Sequence, residues 1–118
     1  MKQPHEAMTE MLTTKLQKFL NEPLNRGTCI QIYNVLFESL QTITSGLNLE
    51  ITNEGMNYLA QLYYDSVLVS GNKVLDPNIF TQRAKLENIS TKELVVMSAF
   101  VNRSPFAVDI IKEIKRRS

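Results

Sequence analysis

From Cys29 to Asn72 this chain contains no lysine and no arginine, and its only charges there are Glu38, Glu50, Glu54 and Asp65. Tryptophan is absent, and cysteine and histidine occur once each. The lone Cys29 rules out an internal disulfide framework, and a lone His5 binds no metal by itself. Gly27, Gly46, Gly55 and Gly71 stand singly, so there is no glycine-rich loop to cradle a phosphate. No uncharged stretch approaches the roughly 20 residues of a membrane span. The opening Met1-Lys2-Gln3-Pro4-His5-Glu6 has no apolar signal core. The expectation is therefore a soluble, cytoplasmic chain with no membrane partner and no cofactor. Asn88-Ile89-Ser90 and Asn102-Arg103-Ser104 fit the glycosylation pattern, but both read as helix-boundary residues.

What the sequence does hold is apolar and helical. Its 118 residues, 43% hydrophobic and 21% charged, fall in the range of a single domain with one core. The formal charge of +1 points to no polyelectrolyte partner. The distribution is uneven: residues 1–28 carry four bases and three acids, 29–72 none and four, and 73–118 nine and five. Such a division either steers a partner or lines a solvated face. No repeat, low-complexity segment or linker interrupts it.

Met8, Met11, Leu12, Leu16, Phe19 and Leu20 recur at helical spacing and predict an amphipathic first helix over 5–21, ending before Pro23. Thr28 and Gln31 read as a capping box for a second helix over about 29–45. Its apolar residues run nearly all round: Cys29, Ile30, Ile32, Tyr33, Val35, Leu36, Phe37, Leu40 and Ile43. β-branched residues keep a strand open for Ile30 to Phe37, but the missing alternation and the continuing spacing favour helix. Ile51 and Met56 flank Thr52 as a hydrophobic staple opening a third helix over about 53–70, with its stop at Gly71-Asn72. Met56, Leu59, Ala60, Tyr63, Val67 and Leu68 form its stripe, while Leu62, Tyr64 and Val69 lie off it. Asp76-Pro77 opens a short fourth helix that stops near Asn88. Ser90 and Glu93 form a second capping box, with Ile89 and Leu94 as staple, for a fifth helix to Val101. Ser104-Pro105 opens a sixth, with Phe106, Ile110, Ile111 and Ile114 on one side and cations toward its C-terminus.

Nucleophilic catalysis needs a base within hydrogen-bond reach of the nucleophile, and Cys29 and His5 are far apart in sequence. A cysteine in a first helical turn can form a reactive thiolate, which leaves a thiol sensor at Cys29 as a minor reading against a small buried apolar residue. His5 reads as part of a terminus that frays. The pairs Glu6/Glu10 and Glu50/Glu54 sit at helix starts, where acids complement the dipole, and neither brings a convergent partner. Residues 91–117 resemble a helix-turn-helix in length, with Met97, Val101, Val108 and Ile111 as its internal packing positions. On that reading Arg103, Lys112, Lys115, Arg116 and Arg117 would meet nucleic acid, although Asp109 and Glu113 would meet phosphate repulsion.

The expected fold is an all-α, single-domain bundle of five to six helices around a central apolar pair, about 29–45 and 53–70. The expected function is non-enzymatic protein binding by an adaptor, inhibitor or accessory protein of the kind phages also encode. Tyr58, Leu62, Tyr64, Asp65 and Val69 would form the partner surface, facing another protein or a second copy in a homodimer, with Glu50, Glu54 and Asp65 set against a basic surface. The alternative is a small DNA-binding regulator using residues 91–117.

Overall fold

The computed structural model describes residues 3–19, 25–70, 85–101 and 108–118, with backbone only over 66–70. It is an all-α bundle. Helix α1 spans Pro4–Lys15, α2 Arg26–Gly46, α3 Asn53–Ser70, α4 Thr91–Ser98 and α5 Val108–Arg117. Short 3-10 turns occupy Gln17–Phe19 and Leu86–Asn88. The central pair is α2 and α3, with α1 laid against α2 and α4 bridging α3 to α5. The predicted stop at Gly71-Asn72, the helix start at Asp76-Pro77 and the start at Ser104-Pro105 lie outside the described residues.

Proline at its first position suits α1, because its missing N–H is one that a helix start leaves unbonded. The helix ends earlier than the periodicity predicts, at Lys15. Thr9, Thr13 and Thr14 turn their hydroxyls back onto the carbonyls of His5, Thr9 and Glu10, a competition that weakens helical continuation. The following 3-10 turn carries Phe19 into the core, with Lys18 over its ring. In its first turn the His5 N–H donates to the Ala99 carbonyl at 3.2 Å, tying α1 to the end of α4.

Helix α2 begins a turn before the predicted Thr28 cap. Asn25 is the cap, its Oδ1 accepting from the Thr28 N–H at 2.9 Å, and Thr28 lies inside the helix. Asparagine offers a planar acceptor with favourable reach from this position, so it wins over threonine. Cys29, Ile32, Leu36, Leu40 and Ile43 form one buried stripe, while Ile30 stands exposed. The apolar surround of α2 thus resolves into a core-facing stripe with half-buried flanks, Tyr33, Val35 and Phe37. Asn48, not Gly46, takes the left-handed conformation after α2, with φ 53°. Asparagine tolerates it better than most residues.

Helix α3 is buried around a wide arc. Gly55, Leu59, Ala60 and Tyr64 are buried, and Met56 and Tyr63 half-buried, because α3 meets both α2 and α4. Tyr64, expected to face a partner, is 1% exposed and belongs to the core. With two neighbours, α3 buries Tyr64 as well as Leu59 and Ala60 of the stripe the spacing predicts. Met8, Leu94, Met97, Phe100 and Ile110 complete the same apolar cluster, so α1, α4 and α5 close over the central pair.

Candidate functional site

Two helix starts, those of α3 and α4, converge on one carboxylate. Ser90 caps α4, its Oγ accepting from the Glu93 N–H at 3.2 Å. The reciprocal half of the predicted capping box is absent. Glu93 instead reaches across to α3, where its Oε1 accepts from the Thr52 N–H and from the Thr52 hydroxyl at 2.7 Å. Thr52 in turn caps α3 by accepting from the Gly55 N–H at 3.2 Å. A Cβ at Gly55 would sit 2.7 Å from Glu93 Oε1 and 2.9 Å from Ile51 Cγ2, so glycine is what admits the carboxylate. Beside this junction opens a cleft of about 690 Å³ whose rim carries Asn48, Glu50, Lys92 and Val96. Its acid, Glu93, is buried and is bound by the Thr52 N–H and hydroxyl.

The tyrosines have separate roles. Tyr63 donates its hydroxyl to the Phe100 carbonyl, joining α3 to the end of α4. Tyr33 donates to Asn57 Oδ1 at 2.8 Å, joining α2 to α3. Burial raises both phenols above their ordinary value, Tyr63 the further of the two. They are donors in the fold, and sequence spacing alone does not reveal an acceptor on another helix.

A second cleft, about 550 Å³, lies between Tyr58 of α3, the Lys85–Glu87 segment and the charged side of α5. Lys85, Lys112 and Arg116 face Glu87, Asp109 and Glu113 there. Glu113 accepts from Arg116 and Arg117, and these bonds hold its carboxyl down at about 2. Arg117, 17% exposed, also donates to the carbonyls of Leu86 and Ile89 and to the Thr91 hydroxyl. Adjoining this side, Val108 and Ile111 stand 45% and 43% exposed. Helical geometry puts Lys115 between them, so the three fall within about 60° on the α5 wheel.

Of the residues expected to meet a partner protein, Tyr58 lines the second cleft, Leu62 and Asp65 are half-buried, and Tyr64 is core. The Val69 side chain lies outside the described residues, as does Arg103. Of the cations expected to meet nucleic acid, Lys112, Lys115 and Arg116 are exposed, whereas Arg117 is bound within the chain. The helix-turn-helix packing positions divide: Met97 and Val101 are buried, but α5 turns Ile110 and Ile114 inward instead of Val108 and Ile111. Among the described residues no three His, Cys, Asp or Glu side chains are grouped to hold a metal ion, and no helix is long and apolar enough to cross a membrane. Compared with protein families, curated proteins and solved structures, the chain matches none.

Proposed function

We propose that this chain is a non-enzymatic protein-binding module whose partner surface is the outer face of α5 beside the Tyr58 cleft. The observation that carries the reading is the pairing of exposed Val108 and Ile111 with the cations Lys112 and Lys115 on one helix. Isolated exposed apolar residues are ordinary, but two on one helix face flanked by cations suit an apolar, acidic partner segment. The base-free helices contribute less to such a surface than their composition suggests. Tyr64 is core, and Glu54 Oε1 accepts from the Lys85 N–H at 3.1 Å.

The partner is either a second copy or another protein. Sedimentation at micromolar concentration giving twice the monomer mass, abolished by Val108→Ser with Ile111→Ser, would identify the homodimer form. A monomeric profile assigns the face to a separate protein, captured from the native host with wild-type bait and lost with the double variant. Equal recovery on both baits overturns the assignment of this face. Exposed Lys112, Lys115 and Arg116 are what favour the DNA-binding alternative, which fails if their joint change to alanine leaves duplex affinity in a gel shift unaltered.

A further inference from the structure

Helix α5 joins the rest of the molecule differently from the other helices. Only Ile110 is fully buried on it, and Ile114 is partly buried against the core. Among the described elements it packs chiefly on α4 and on the turn Leu86–Asn88. Its other anchor is polar and lies at its last residues. Arg117 Nη2 donates to the Leu86 carbonyl at 2.9 Å, and Nη1 donates to the Ile89 carbonyl and to Thr91 Oγ1. Arg117 Nε donates to Glu113 Oε1 at 3.0 Å, which holds the guanidinium in its own helix. The turn that receives these bonds is held from its other side, where Glu54 takes the Lys85 N–H. One side chain therefore fastens α5 to a segment that is itself fixed to α3.

We propose that α5 is a strap that opens as a unit while the core of α2 and α3 stays folded, with Arg117 as its latch. The inference stands on these contacts and does not require that the closed helix bind anything. Its functional consequence comes from the apolar residues of α5. Val108, Ile111, Ile114 and Ile110 follow one another around an arc of about 160°. In the closed state Ile110 and Ile114 pack home while Val108 and Ile111 remain outside. Opening frees both halves, which join into one amphipathic face when the ten-residue helix re-forms in a hydrophobic groove. The occupant suited to the open strap is thus a groove on another protein, and the intramolecular packing of Ile110 competes with it.

The test compares two thiols in one chain. Cys29, buried on α2, reports opening of the core. Ile110→Cys places a second thiol on the inner side of α5. The strap predicts that iodoacetamide modifies the second thiol faster than Cys29, with the two distinguished by peptide mass. Adding Arg117→Ala should raise the rate at the second thiol by roughly tenfold or more, the effect expected for lost charge-assisted hydrogen bonds, and leave Cys29 slow. Arg117→Lys, which keeps the charge but not the fork of donors, should fall between. Because Ile110→Cys removes core volume, amide exchange across 110–114 is also measured in the chain carrying Arg117→Ala alone. Faster exchange there with unchanged exchange in α2 supports the strap. Equal rates at the two thiols together with no change in exchange would overturn it.

Discussion

Helices α2 and α5 show two ways of holding a helix in place. In α2 only Arg26 and Glu38 of 21 residues are charged, and five apolar side chains from Cys29 to Ile43 sit in the core. In α5 six of ten residues are charged and one isoleucine is fully buried. Burial of a Val-sized to Phe-sized side chain is worth about 1.5–3 kcal/mol, so the apolar stripe alone gives α2 several times the anchorage of α5. Helix α5 compensates with hydrogen bonds from one guanidinium to two backbone carbonyls. Apolar burial spread along a helix makes its position depend on the whole core. A terminal polar clasp makes position depend on one residue, and that residue can let go without disturbing the rest.

The largest effect that would sharpen this comparison is in the core. Leu40→Ala should lower unfolding free energy by about 2–5 kcal/mol in denaturant melts, because the side chain is fully buried and its removal leaves a cavity. A loss below 1 kcal/mol, on the order of a surface change, would break the contrast from the α2 side. A smaller effect belongs to Glu113. Its carboxyl is held at about 2 in the fold against an ordinary value of 4.5, so the charged form is favoured by folding. The stabilisation is complete above about pH 4.5 and disappears as pH falls through about 2. The difference in melting midpoint between wild type and Glu113→Gln should therefore shrink across that window. A gap that stays constant from pH 5 to pH 2 would mean that the charge on Glu113 is not what holds Arg116 and Arg117.

The sequence displayed the starts of α3 and α4 because those boundaries are written in local chemistry, whereas the described end of the expected fourth helix is a 3-10 turn, Leu86–Asn88, after an extended Lys85. The Ser90 cap and the Thr52 cap are where hydroxyl and neighbouring apolar residues place them, and the stripe Leu36, Leu40, Ile43 is read directly from spacing. The errors share a physical cause. Asn25 replaced Thr28 as a cap because two acceptors lay within one turn and asparagine is the better of the two at that position, while the Thr-x-x-Gln spacing pointed to the other. Tyr64 moved from surface to core because periodicity describes one helix and not how many neighbours it has. Glu93 fits a capping box by spacing, but its carboxylate is taken by Thr52, a residue far away in the chain. The Arg117 latch was hidden for the same reason: a cation in the last turn is expected for the helix dipole alone, and its true acceptors lie on another segment. Within the described part of the base-free span, Tyr63 and Glu54 bond to later segments of the chain, Tyr33 bonds to α3 and Tyr64 is core.

Native-state amide exchange in the unmodified chain tests the difference between the two helices most directly. Opening free energies at Leu36 to Ile43 of α2 and at Ile111 to Lys115 of α5 are compared across increasing denaturant. The expected result is that α2 amides open only with global unfolding, while α5 amides open together at a clearly lower free energy with a weaker dependence on denaturant. A common free energy and a common denaturant slope for both helices would contradict it, for α5 would then be as much a part of the core as α2.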